Sequence, residues 1–306
     1  MSVVSPQNLT YNNRSAYITA AEFKRSPIAA AIDTTNLIPG GDLSVQDHAL
    51  SNLINQASAF ADNYCLGAVG TLGATVNTET GRYRCNRQGW YIIHPAFWPI
   101  LEVQSFQVGG IPSNLTPVNL STANCWIEQR QFIVTQSGSY ATSSGPLGLG
   151  LFPSVSGPPA FVQYTYVNGF FNQTLSAQAA ANTSSLTFAN VTGLYAGQPV
   201  TIYDAPVEET VTVASTWDGK SLTVPLTAPL IYSHGAGTNV SAFPPTVKQA
   251  VIHLVVSMIK QRGQGGFVLN EIGEPMAVSS KTETSAEDFH DALILLDSFR
   301  QIFGRI

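Results

Sequence analysis

Residues 243–263, FPPTVKQAVIHLVVSMIKQRG, carry the strongest periodicity in the chain. Val247, Val251, Leu254, Val255, Met258 and Ile259 recur at helical spacing and would line one face. Pro244 and Pro245 suit a first helical turn, and Gly263 suits the position just past the last one. A helix with one apolar face has to bury it. The residues just before it, from Arg82 onward, read as strands and loops, so its partners must come from far away in sequence. Two other helical patterns exist. One covers residues 43–65 and the other residues 285–303, with Leu53, Ala57, Leu293 and Leu296 placed to face the helix of 243–263. The expected class is therefore α+β: a bundle of N- and C-terminal helices, a small antiparallel β-sheet and a further small all-β domain.

The N-terminal residues are polar and read as an extended arm; they lack the basic and apolar regions of a signal peptide. Thr19 with Glu22 is a capping-box pattern that starts a short helix, which Pro27 breaks or restarts. In DLSVQDHALSNLINQASAFADNYC, Ser44 and Asp47 supply N-cap chemistry, and Leu50, Leu53, Ile54, Ala57, Ala61 and Tyr64 recur at helical spacing. The last helix is expected to be capped by Ser285 with Asp288, striped by Phe289, Leu293, Leu296, Phe299 and Phe303, and stopped at Gly304.

From Arg82 the period changes to two. RYRCNRQGWYIIHP predicts two strands around Gln88-Gly89. PILEVQSFQVGG predicts a third that ends in a double-glycine turn, NCWIEQRQFIVTQ a fourth, and AFVQYTYVNGF a fifth. Between the last two, a Gly/Ser/Pro-rich stretch carries Leu147, Leu149, Leu151 and Phe152. It fits either a hairpin tip folded back on the sheet or a contact loop for another subunit. Residues 185–241 predict short strands in SLTFAN, QPVTIY, EETVTVAS, KSLTVP and GAGTNVS, with turn signals at Gly193, Gly197 and Asp218-Gly219.

Charged residues make up 11% of the 306, under half the usual share of about 25%. The net charge is −5, with no lysine between Lys24 and Lys220. Such a surface does not grip nucleic acid, although DNA could slide past it. The basic cluster Arg82, Arg84 and Arg87 reads as a solvated strand edge. Cys65, Cys85 and Cys125 are too far apart for a metal or redox motif and read as reduced thiols. The longest apolar run, Val251 to Ile259, is too short to span a membrane. His48, His253 and His290 fall beside apolar helix faces; His94 and His234 have no Cys or carboxylate at metal-ligand spacing. Glu208 and Glu209 point to opposite strand faces and cannot act together as acid and base. Gly263-Gln-Gly-Gly266 follows a helix and lacks the Lys of a phosphate loop. No catalytic, cofactor or metal residue is proposed from this sequence.

The ordered segments YITAAEF, ASAFADNYC, HPAFWPILEVQSFQVGG, VQYTYVNGF, PPTVKQAVIHLVVSMIKQR and DALILLDSFRQIF resemble the head-to-tail connector (adaptor) proteins of tailed bacteriophages. The likeness covers residues of about 17–171 and 243–306. In that family the Y-x-x-G-[FY] strand commonly leads straight into the P-x-x-[VI]-K-x-A helix. Here residues 175–241 stand between them, so the expected organisation is a connector core of 1–174 and 242–306 interrupted by an all-β domain of 175–241. Its QPVTIYDAPVEETVTVAS looks like a decoration module of other phage proteins.

The resemblance implies a non-enzymatic ring of about twelve copies beneath the portal, made in the bacterial cytoplasm and built into the virion neck. DNA would pass through its lumen without sequence-specific binding. Its partners would be further copies of itself, the portal protein and the next neck or tail protein, with no membrane and no cofactor. Contact residues would be Leu147, Leu149, Leu151 and Phe152 in the long loop, Phe267 in the glycine-broken excursion, and Phe303 and Ile306 at the C-terminal end. The alternative is a β-rich virion decoration or carbohydrate-binding module. Trp90, Trp98, Trp126 and Trp217 would be its aromatic platform, although all four sit in strand or proline contexts that favour burial.

Overall fold

The computed structural model describes residues 16–67, 70–86, 89–121, 124–128, 130–135, 159–204, 206–262 and 279–300. The chain divides into two compact units. One is built on Ala74–Gly169, the other on the described residues up to Gly73 together with those from Phe170 onward.

In the first unit, β1 (Thr75–Tyr83), β7 (Ala160–Asn168), β3 (Ile100–Ile111) and β4 (Asn114–Pro117) form an antiparallel sheet in the order β1-β7-β3-β4. A second antiparallel sheet has the order β2-β6-β5, from β2 (Trp90–Ile93), β6 (Gln131–Thr135) and β5 (Cys125–Glu128). Tyr91, Ile93, Phe106, Phe132, Val134, Val162, Tyr164 and Tyr166 make their common core. Three sequence expectations change here. The strand expected from Arg82 begins at Thr75, and it pairs with β7 rather than with β2. NCWIEQRQFIVTQ is a hairpin of two strands, with Glu128 paired to Gln131 where two apolar halves meet. The double glycine is not the turn but lies inside β3, at a shift of register against β4. A Cβ on Gly109 would stand 2.1 Å from the Asn114 carbonyl oxygen, so only glycine permits that approach.

In the second unit, α1 (Ala20–Arg25) starts with the complete capping box, and Pro27 restarts the chain as a 3₁₀ turn, Pro27–Ala29. Helix α2 (Leu43–Leu66) is capped by Asp42, whose carboxylate accepts from the Val45 N–H at 2.9 Å. Ser44 and Asp47 lie inside the helix, two and five residues past the cap position. Helix α3 (Pro245–Arg262) follows its proline pair as expected, while α4 (Ser279–Asp297) begins six residues before Ser285. The four helices close one core: Phe23, Leu50, Leu53, Ile54, Ala57, Val247, Val251, Leu254, Val255, Ala292 and Leu296 are all buried in it. Ala292, rather than its neighbour Leu293, is the buried residue one turn before Leu296.

The same unit carries a β module. Strands β11 (Glu209–Thr212), β10 (Pro199–Tyr203), β13 (Asn239–Ser241) and β8 (Asn172–Thr174) form an antiparallel sheet in that order. Strands β12 (Thr223–Pro225) and β9 (Ser185–Thr187) pair separately. Phe171, Leu186, Phe188, Val200, Ile202, Val213, Trp217, Val224 and Val240 fill a core of their own. Gly193, Gly197 and Gly219 hold the turns with positive φ, where a side chain would be strained. The protein is α+β, but thirteen strands against four α-helices among the described residues make it more β-rich than a helical bundle with a small sheet.

Candidate functional site

A buried ion pair lies where α1, α3 and the β module meet. Thr19 and Glu22 form the cap of α1, with the Thr19 N–H donating to Glu22 Oε2 at 2.5 Å. That leaves Oε1, which accepts from Lys248 Nζ at 2.5 Å. Lys248 lies one residue past Val247 in the first turns of α3 and is buried. Its ammonium also donates to Asn239 Oδ1 of β13 at 2.9 Å and sits 3.3 Å from the centre of the Tyr203 ring at the end of β10. Asn239 Nδ2 donates to Asn172 Oδ1 of β8 at 3.0 Å, and Asn172 Nδ2 to the Ala16 carbonyl at 2.9 Å. A continuous run of hydrogen bonds thus ties the residues before α1, two strands of the module, α3 and α1 together. Burial pushes the Lys248 amine down to about 8 against the pull of Glu22. Burial, with the carboxylates of Glu22 and Glu208, pushes the Tyr203 hydroxyl up to about 12.

Next to this joint, Asp204 follows β10 and Glu209 opens β11. His234, with no solvent exposure, lies between them. Its Nδ1 is 3.2 Å from Asp204 Oδ2 and its Nε2 2.8 Å from Glu209 Oε1. A cleft of about 230 Å³ opens over both networks, lined among others by Glu22, Arg25, Tyr203, Asp204 and Asn239. Two further carboxylates are buried. Asp62 of α2 accepts from the Tyr17 hydroxyl and from the Leu72 N–H at 2.8 Å. In the sheet unit, Glu79 accepts from Tyr164, Tyr166 and the Ala96 N–H at 2.7, 2.6 and 3.0 Å. Burial beside Glu79 holds both tyrosine hydroxyls far above their ordinary value. In each case donors surround the carboxylate, which is the condition for burying one. Both ring nitrogens of His234 and the Lys248 ammonium are engaged in the same way, an arrangement suited to fixing backbone geometry.

The residues expected to make contacts, Leu147, Leu149, Leu151, Phe152, Phe267, Phe303 and Ile306, lie outside the described residues. His48, His94 and His290 are exposed, and His253 Nδ1 lies 3.4 Å from Asp288 Oδ1. His234 is the histidine that sequence spacing passed over, because its carboxylates stand thirty and twenty-five residues earlier. Lys248 stands in sequence beside an apolar stripe, and the sequence marks its partner Glu22 only as a cap. Cys65, Cys85 and Cys125 are free thiols, and no group of three His, Cys, Asp or Glu among the described residues is arranged to hold a metal. No described helix is long and apolar enough to cross a membrane. Arg82 and Arg84 are exposed at the edge strand β1, with the Arg82 guanidinium 4.5 Å over the Phe161 ring. Trp217 belongs to the core of the module and donates its indole N–H to the Ser221 carbonyl at 3.1 Å. Trp90 and Trp126 are instead half-buried and stacked edge to face, 5.5 Å apart.

No family model matches the chain, and no curated protein matches it significantly. Among solved structures, a chain from one described as "Neck of empty GTA particle computed with C6 symmetry" aligns with 94% of this chain and 96% of its own length, at 14% identity and a TM-score of 0.32. A TM-score that low establishes no common fold.

Proposed function

We propose that this chain is a non-enzymatic structural component of a tailed-phage neck: a head-to-tail connector whose core is interrupted by a β module. The observation that carries the reading is how the module leaves and rejoins the chain. Its first strand, β8, and its last, β13, are neighbours, with Asn172 paired to Ser241, and the Ala242 N–H donates to the Phe171 carbonyl at 2.8 Å. Chain ends that emerge side by side are what an insertion needs, and they fall where the connector-like strand motif stops and the connector-like helix motif starts. The module has its own core, and α2 and α3 meet in another.

On this reading about twelve copies form a closed ring beneath the portal, with DNA passing through. The C-terminal segment with Phe303 and Ile306 meets the portal protein. The loop with Leu147, Leu149, Leu151 and Phe152 meets a neighbouring copy or the next tail-side protein. Imaging of assembled particles tests this. The chain is expected as a ring at the portal-proximal neck; particles with this chain elsewhere, or without it, would refute the proposal. The second reading, a carbohydrate-binding decoration, draws on the half-buried Trp90–Trp126 pair. Glycan binding that is lost in Trp126→Ala would favour it.

A further inference from the structure

The Asp204–His234–Glu209 network secures a loop rather than two packed elements. The chain between β12 and β13 returns over the start of β11, where one carboxylate holds it. Glu209 Oε2 accepts from the Ile231 N–H at 2.9 Å, and Oε1 accepts from the Tyr232 N–H at 3.2 Å while facing His234 Nε2. The His234 backbone is pinned as well, exchanging hydrogen bonds of 2.8 and 2.9 Å with Ala179. Between these anchors Ile231 is 70% and Tyr232 42% exposed, so apolar burial does little to order them. Their backbone is held by the carboxylate.

The Ile231 and Tyr232 N–H groups that Glu209 meets are both donors. An ionised carboxylate accepts from both with its two oxygens, whereas a protonated one turns one of those oxygens into a hydroxyl, a weaker acceptor for the amide it faces. We propose that Glu209, with the His234 ring beside it, forms an acid-sensitive clamp: its ionised carboxylate fixes the Ile231–Tyr232 tip, and its protonation releases the tip while the strands beneath stay folded.

The titratable and charged groups around the clamp include Tyr203 and Asp204 at the end of β10, Glu208 and Glu209 at the entry to β11, Tyr232 on the tip itself, and Arg25 of α1, which lines the cleft with Asp204. Beyond Tyr203 stands the Lys248–Glu22 pair. The segment around Ala179 contributes none. Burial pushes the Glu209 carboxyl up, but the Ile231 N–H, the His234 ring and the Tyr232 N–H outweigh it and hold the group below the ordinary glutamate value. The stabilisation from Glu209 is therefore complete above that ordinary value, about 4.3, and is lost as pH falls through the lower folded value.

Amide hydrogen exchange on the full chain tests the clamp, with rates corrected for the intrinsic effect of pH. Between pH 7 and pH 3.5 the Ile231 and Tyr232 amides should lose protection severalfold, up to the roughly sevenfold limit for one carboxylate of ordinary value about 4.3, while β10, β13 and α3 keep theirs. Glu209→Gln should produce a local loss at pH 7 as well, since its NH2 replaces one accepting oxygen and faces an N–H as donor to donor. If Glu209→Gln does not fold, the wild-type pH comparison decides alone. Protection of the two amides that is unchanged at pH 3.5, or that falls in step with β10 and β13, would overturn the proposal.

Discussion

The helical core and the β module share one unit but are assembled in opposite ways. The helical core gathers residues from Tyr17 to Leu72 and from Phe243 to Phe299, two segments separated by most of the chain. The module closes its core from one continuous stretch, Phe171 to Val240. Contacts between distant segments carry the larger loop-closure cost, which packing of long amphipathic faces has to offset. The module does not depend on such contacts within its own core. It depends on the helices at the joint formed by Lys248, Asn239, Asn172 and Glu22, where buried polar groups replace an apolar interface. The difference teaches that a contiguous core can be placed inside a discontinuous one if its two ends are adjacent and the junction is specified by directional bonds.

The largest effect is expected at that junction. Lys248→Ala leaves Glu22 and Asn239 buried with one partner fewer, and losing one member of a buried ion pair costs about 3–5 kcal/mol. Because the joint touches both cores, thermal unfolding should shift to lower temperature for helix and module signals alike. A shift in one signal alone would show that the joint belongs to one core only. Trp217→Ala should cost a similar or slightly smaller amount, about 3–5 kcal/mol for a buried aromatic. It should act on the module first and leave the helical circular dichroism of the native state in place. Equal loss of both would break the contrast between the two cores.

The smallest effect is a pH slope. Below pH 8 the folded and unfolded chains both carry the Lys248 charge, and the fold bears its full desolvation cost. With the amine at about 8 when folded and 10.5 ordinarily, the unfolded chain holds more protons between those values, so stability rises with pH. Cys65 and Tyr203, each pushed up to about 12 with burial as the leading cause, act in the opposite direction above their ordinary values of 9.0 and 10.0. Between pH 8 and 9 the Lys248 contribution therefore stands out, at up to about 1.4 kcal/mol per pH unit. Denaturant titrations across that window should show the rise in the wild type and a flatter response in Lys248→Met.

The parts legible in the sequence are those governed by local rules. Thr19 and Glu22 announce α1, the stripe from Val247 to Ile259 announces α3, and the glycines at 193, 197 and 219 mark turns of the module. Where a local signal was shared by several residues, the assignment slipped. Asp42 rather than Ser44 caps α2, because the cap is decided by which side chain reaches the third N–H. Gly109 and Gly110 look like a turn but serve a close approach of two strands, which depends on β4 lying alongside. The polar joint and the His234 clamp left no sequence signal. Glu22 and Lys248 are 226 residues apart, and no periodicity links them.

The claim on which the functional reading depends is that the β module interrupts a helical core that stands without it. Replacing residues 176–241 by a short Gly/Ser join between the adjacent ends of the module tests it most directly. The account predicts that the shortened chain keeps the helical circular dichroism and cooperative unfolding of the four-helix core, destabilised by the loss of Asn239 and Tyr203 from around Lys248. Loss of the helical signal in the shortened chain would contradict it.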